Sequence, residues 1–113
     1  MPLNTRQLAP GFAVAAQLSP QDMPAVVQAG FRTLINNRPD HEGGAAQPLS
    51  ADIAQAANAL GLVYIHLPVI SGAITAEQAR AMKQTLDGAA QPVLAFCRSG
   101  ARSAQLYERA LGR

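Results

Sequence analysis

Hydrophobic residues cluster in four short runs that are separated by longer amphipathic segments. The runs are rich in β-branched and aromatic residues, which favours strands. The predicted strands cover residues 12–18, 31–36, 62–69 and 92–96. The third run is apolar at both odd and even positions, so we expect its strand to be buried on both faces.

Polar start signals precede the amphipathic segments, which carry apolar residues at helical spacing. Ser19, which is followed by a proline, predicts one helix start, and Ser50 is the predicted cap of the next helix. The sequence TAEQ at Thr75–Gln78 has the form of a capping box and predicts a third helix. A fourth helix is predicted to begin within the loop at Cys97 and to end near Leu111.

The resulting order, β-α-β-α-β-α-β-α, predicts an α/β fold: a single domain with a mainly parallel four-stranded sheet flanked by helices. Ligands in such folds bind beyond the carboxyl ends of the strands. Three loops leave those ends, at residues 37–48, 70–74 and 97–102. We therefore expect a functional site where these loops meet.

The composition is that of one globular domain covering residues 1–113, with 49% hydrophobic and 14% charged residues. A net charge of +2 without a clustered basic face argues against nucleic-acid binding. No apolar run approaches the ~20 residues that span a bilayer, and the N-terminal segment lacks the order of a signal peptide. We expect a cytoplasmic protein that does not bind membranes, and the sequence does not indicate its oligomeric state.

The single cysteine, Cys97, excludes an internal disulfide and a cysteine-rich zinc site. Asp40, His41 and Glu42 are consecutive, and consecutive side chains rarely converge on one ion. We therefore expect neither a metal nor another cofactor.

The candidate chemistry lies in the sequence CRSGARS, which follows the last predicted strand. Amide groups of such a loop and the start of the next helix stabilise a thiolate, which would make Cys97 a nucleophile. Gly100 lets the backbone bend, Arg102 offers a planar fork for an oxyanion, and Ser103 can donate to the thiolate or cap the helix. The alternative is a buried structural cysteine at a strand end.

The rest of the predicted site surrounds this loop. Arg98 faces either solvent or substrate, and the backbone amides of Ser99 and Ala101 are expected to help bind an anion. In the polar segment NNRPDHEGG, Arg38 is a candidate for anion binding. Asp40 is a candidate catalytic acid or a support for Arg38 or Arg102, although the same residues also suit an ordinary turn.

The loop resembles two families. CRSGARS is similar to the rhodanese-type sulfurtransferase loop, Cys-Arg-Ser-Gly-x-Arg-Ser, and to the loop of protein-tyrosine and dual-specificity phosphatases, Cys-x5-Arg-Ser/Thr. Over nearly its whole length the chain resembles the bacterial beta-lactamase-hydrolase-like, phosphatase-like domain family, also called a sulfur transferase family. The matching segments are INNRPDHE, YIHLPV, ITAEQ and FCRSGARS. The resemblance implies a compact dual-specificity-phosphatase-type fold, and fusion of some members to a persulfide-dioxygenase-type hydrolase points to sulfide metabolism.

Two features favour sulfur chemistry over phosphate chemistry. Arg102 follows Cys97 after four intervening residues rather than the five of the phosphatase loop. The segment ISGAIT after the third strand has no carboxylate, whereas phosphatases resembling this fold usually take an acidic residue from that loop. Sulfur transfer needs no such acid.

Three hypotheses follow from the sequence. The first is a sulfurtransferase that forms a persulfide on Cys97 and passes the sulfur from a small donor to an external thiol, since there is no second cysteine to accept it. The alternative is a cysteine-dependent phosphatase that acts on a phosphorylated substrate through a phosphocysteine. The third is an interaction domain that binds anions without catalysis.

Overall fold

The computed structural model describes residues 3–113, and its helices and strands follow the predicted order with one addition. The strands are β1 (Arg6–Ala9), β2 (Phe12–Ala15), β3 (Thr33–Asn36), β4 (Val63–His66) and β5 (Val93–Phe96). The α-helices are α1 (Met23–Gln28), α2 (Ser50–Ala59), α3 (Ala76–Gly88) and α4 (Ala101–Ala110). Short 3-10 helices lie at Pro20–Asp22 and Gly44–Ala46.

The sheet has the strand order β1-β2-β5-β3-β4. β5 lies at its centre and pairs in parallel with both β2 and β3, and β4 pairs in parallel with β3. The carboxyl ends of these four strands therefore lie along one edge of the sheet. β5 leads directly to Cys97, so the thiol follows the central strand, whose four residues are all buried.

The α/β fold and the four parallel strands are as expected, but the sheet has five strands rather than four. The additional strand, β1, pairs antiparallel with β2 through a tight turn at Gly11, which has φ +80°. A second correction concerns β4, which lies at the edge of the sheet, with Val63 exposed and the other residues half-buried. Tyr64 packs against one core layer and Ile65 against the other, but the open edge leaves both residues only partly buried.

Alternate residues of the strands enter two core layers on opposite faces of the sheet. On β5, for example, Leu94 and Phe96 belong to one layer, whereas Val93 and Ala95 belong to the other. Helices α1 and α2 cover the first layer and α3 and α4 cover the second. This arrangement fixes β5 from both faces and so fixes the position of the loop that follows it.

The helix start signals are confirmed at two of three places. Ser19 forms a capping box with Asp22, and Thr75 forms one with Gln78. Ser50 is not a cap but the first residue of α2, and its N–H donates to Asp40 Oδ1 at 2.8 Å. The start of α2 is thus stabilised by a carboxylate from the preceding loop.

None of the helices formed by residues 3–113 combines the length and the apolar character needed to cross a bilayer.

The two-layer core predicts unequal effects of two identical substitutions. Ile35 on β3 is fully buried, whereas Ile70 is 62% exposed. Ile35→Ala should lower the free energy of unfolding by about 2–5 kcal/mol because it leaves a cavity, and Ile70→Ala should lower it by less than about 0.5 kcal/mol. Urea denaturation of both variants measures the difference, and equal losses would contradict the assigned core.

Candidate active site

Cys97 lies at the bottom of a cleft formed by the three loops beyond the carboxyl ends of the strands. The Cys97 side of the cleft is formed by Cys97, Arg98, Ser99, Ala101, Arg102 and Gln105. The opposite side is formed by Arg38, Glu42, Gly43, Ile70 and Ser71. The cysteine is 1% exposed, so the cleft reaches only a small part of its thiol.

Gly100 gives the loop its shape. Its φ is +93°, a conformation that favours glycine, and a Cβ at this position would lie 3.3 Å from the carbonyl oxygen of Ala15 on β2. This geometry turns the N–H of Gly100 toward Cys97 Sγ, to which it donates at 3.1 Å. Gly100 is also the N-cap of α4, so the thiol lies at the positive end of that helix.

The surroundings of Cys97 favour its thiolate form. Burial raises the pKa of Cys97, but the N–H and hydroxyl of Ser103 and the N–H groups of Ser99 and Gly100 lower it, and the net pKa lies below its ordinary value. The Ser103 hydroxyl has a single proton, which it donates to Asn37 Oδ1 at 2.8 Å. Because this proton is already donated to Asn37, we attribute the lowered pKa of Cys97 to the backbone N–H groups.

The guanidinium of Arg102 connects the Cys97 loop to both other loops. Its two terminal nitrogens donate to the carboxylate of Glu42 at 2.9 and 3.1 Å, and one of them also donates to the Val69 carbonyl at 3.0 Å. The third nitrogen, Nε, is buried and has no hydrogen-bond partner among the residues that the structure describes. Because Arg102 is only 7% exposed, this donor is available only to a group that enters the site.

A second arginine shares the same carboxylate. Arg38 Nε donates to Glu42 Oε1 at 2.9 Å, and another nitrogen of Arg38 donates to Gln17 Oε1 at 3.0 Å. Hydrogen bonds from Arg102 hold the pKa of Glu42 below its ordinary value against the effect of burial, and Arg38 lowers it further. Glu42 is therefore an anion held between two arginines.

Buried polar side chains fix the segment that carries Arg38 and Glu42. The Asn36 side chain accepts from the Arg38 N–H at 2.9 Å and donates to the Tyr64 hydroxyl at 2.9 Å. His66 Nε2 donates to the Arg38 carbonyl at 2.9 Å. Asn37 donates to the Leu67 carbonyl at 2.9 Å, which directs its other side-chain atom to Ser103. The loop geometry is thus imposed by β3 and β4.

The structure brings most of the predicted site residues together but leaves Asp40 outside the cleft. Gly100 and Ser103 form hydrogen bonds to Cys97. The predicted residues that line the cleft are Arg38, Cys97, Arg98, Ser99, Ala101 and Arg102. Asp40 accepts from the start of α2 instead, because its side chain turns toward Ser50. The expected support of the two arginines comes from Glu42.

Glu42 and Asn37 contribute to the hydrogen bonds of the site but are not among the site residues predicted from the sequence. The spacing of Arg38 and Glu42, four residues apart, is a signal that could have identified the ion pair, although the segment is a loop and not a regular helix. Asn37 carries no such signal, because its role depends on a contact with Ser103, 66 positions later in the chain.

Comparison with known proteins agrees with this geometry. Residues 4–112 match the family described as "Beta-lactamase hydrolase-like protein, phosphatase-like domain". The chain belongs to this family. A beta-lactamase hydrolase-like protein of Agrobacterium fabrum is 37% identical over 96 residues, which cover 85% of the present chain and 22% of that protein. The chain thus spans about a fifth of the length of this curated relative.

Solved structures show the same fold. A candidate phosphatase of Neisseria meningitidis is 32% identical and superposes with a TM-score of 0.85, over 93% of this phosphatase-like domain and 74% of that chain. TpbA of P. aeruginosa, crystallised in complex with phosphotyrosine, gives a TM-score of 0.71 over 97% of this chain and 65% of that one. Its identity is 15%, so this likeness shows the fold alone.

The stabilised thiolate makes the phosphatase-like domain more stable as the pH rises. Because the pKa of Cys97 is lower in the folded state, the unfolded chain binds the extra proton between that pKa and the ordinary value of about 8.5. Stability should therefore increase with pH across this window and fall as the pH drops through the folded pKa. Urea denaturation between about pH 6 and pH 9 should show this increase for the unmodified chain and not for Cys97→Ser. The same dependence of the free energy of unfolding on pH in both proteins would contradict the lowered pKa of Cys97.

The shared carboxylate predicts a specific loss of stability. Glu42→Gln removes the anion and leaves two largely buried arginines without a counter-charge, which should cost about 1–3 kcal/mol in the free energy of unfolding. Glu108→Gln is a matched control, since Glu108 pairs with Arg113 at the surface, and should cost less than about 0.5 kcal/mol. Chemical denaturation compares the two, and losses of equal size would show that the shared carboxylate has no special weight.

Proposed function

We propose that this domain is a cysteine-dependent phosphatase that acts through a phosphocysteine intermediate. The observation that carries the proposal is a thiol of lowered pKa on the same loop as a buried arginine with a free Nε. A phosphoryl group on the thiol would supply the acceptor that this donor lacks. The family match and the 32% identical candidate phosphatase support the same assignment.

The proposed reaction has two steps. The Cys97 thiolate uses its electron pair to form a bond to phosphorus, and the bond from phosphorus to the leaving oxygen breaks. Loop N–H groups and Arg102 stabilise the charge on the phosphoryl oxygens. Water then attacks phosphorus, the S–P bond breaks, phosphate leaves and the thiolate is restored. Arg38 and Arg98 at the cleft wall would attract an anionic substrate.

A second candidate function, sulfur transfer, is favoured by the spacing within the loop. Only four residues separate Cys97 from Arg102, as in the rhodanese-type sequence. In that reaction the thiolate attacks the sulfane sulfur of a small donor such as thiosulfate, sulfite leaves, and Cys97 becomes a persulfide. An external thiol then takes the sulfur and restores the thiolate.

The proposed roles of Cys97 and Arg102 predict distinct effects on hydrolysis of p-nitrophenyl phosphate. Cys97→Ser should reduce turnover to background because it removes the nucleophile. Arg102→Lys keeps the charge but removes the fork, and should lower kcat/KM by about 10²–10³-fold. Arg109→Lys, on the exposed side of α4, is the matched control and should retain activity.

The intermediates separate the two candidate functions. Rapid quenching with phosphate ester should give a mass increase of one phosphoryl group on Cys97, whereas incubation with thiosulfate would give the mass of one sulfur atom if the second function applies. Persulfide formation without any Cys97-dependent phosphate release would overturn the phosphatase proposal.

A further inference from the structure

The cleft contains one carboxylate, and that carboxylate is already engaged. Among the lining side chains of residues 3–113, Glu42 is the only acidic one. Its Oε1 accepts from both Arg38 and Arg102, and its Oε2 accepts from Arg102. Asp40, the other acidic residue of the same loop, accepts a hydrogen bond from the Ser50 N–H at the start of α2.

A general acid must carry a proton and direct it at the leaving atom. Glu42 does neither, because three arginine N–H groups occupy its oxygens and each of them favours the ionised form. The other polar side chains at the wall are serines, a glutamine and arginines. None of these gives up a proton readily near neutral pH.

We infer that the site acts on phosphoryl compounds whose leaving group departs as a stable anion, without being protonated by the protein. The substrate class is acyl phosphates, phosphoric anhydrides and esters of acidic phenols, as opposed to esters of simple alcohols. The inference rests on the proposed phosphatase function and names the substrates of that same site.

The chemical step balances without an acid. The thiolate of Cys97 donates an electron pair to phosphorus, and the electron pair of the P–O bond leaves with the departing carboxylate, phosphate or phenolate. Water then attacks the phosphocysteine, its proton passes to solvent, and the S–P electron pair returns to Cys97. Without protonation of the leaving oxygen, the activation barrier for cleavage of the P–O bond rises least when that oxygen is weakly basic.

Dependence on the leaving group tests the inference. Acetyl phosphate, p-nitrophenyl phosphate and phenyl phosphate cover a range that extends from a carboxyl-like pKa of about 4 to a tyrosine-like pKa of about 10. We expect kcat/KM, corrected for the Cys97→Ser background, to fall by at least about 10²-fold from p-nitrophenyl to phenyl phosphate, the contribution that a general acid usually makes. Phenyl phosphate turnover within about tenfold of p-nitrophenyl phosphate turnover would overturn the inference.

Glu42→Gln distinguishes a positioning residue from a hidden acid. If Glu42 only positions the arginines, the variant should lose the same factor in kcat/KM with both aryl esters. If Glu42 donates a proton, phenyl phosphate should lose at least about tenfold more than p-nitrophenyl phosphate, and the inference fails. Glu108→Gln, at the surface, controls for the loss of one carboxylate.

The two possible failures have different signatures. Cys97-dependent turnover of all the esters at similar rates would refute the substrate class but retain the phosphatase. A lack of Cys97-dependent turnover even with acetyl phosphate would refute the phosphatase itself, and the inference with it.

Discussion

The guanidinium of Arg102 is the interaction on which the geometry of the site depends. It extends from the first turn of α4 and contacts Glu42 in the loop after β3 and the Val69 carbonyl in the segment after β4. A buried cation of this kind is costly unless it is paired and hydrogen-bonded. The requirement to satisfy Arg102 therefore holds together three loops that are distant in the sequence.

The Glu42 carboxylate and the Cys97 thiol lie in one small site but are stabilised by different groups. Three arginines line the cleft, and the Glu42 carboxylate offsets only part of their charge. The thiolate is stabilised separately, by the N–H groups of a loop that Gly100 bends and by the start of α4. Backbone groups thus favour the thiolate form of Cys97, and the buried Nε of Arg102 remains without a hydrogen-bond partner among residues 3–113.

The sequence predicts the fold and the Cys97 loop well because both depend on local signals. Alternating strands and helices fix a parallel sheet, and one glycine between a cysteine and an arginine fixes the loop. β1 escapes prediction because RQLA has no β-branched residue and forms a strand only by pairing with β2. Asp40 and Glu42 are equally acidic in the sequence, and only the direction of the turn decides that Asp40 contacts α2 while Glu42 contacts the arginines.

The Glu42 carboxylate is occupied by two arginines, so both proposed reactions at Cys97 favour a leaving group that needs no proton from the protein. Sulfite departing from thiosulfate and a carboxylate departing from an acyl phosphate are both stable anions, so neither needs a proton from the protein. A thiolate in a site without a general acid is therefore suited to attack either thiosulfate or an acyl phosphate in the first step. The two chemistries diverge only in the second step, in which water attacks phosphorus or an external thiol attacks sulfur. Under the two proposed mechanisms, the access of water or of a thiol to the intermediate on Cys97 would therefore select the reaction.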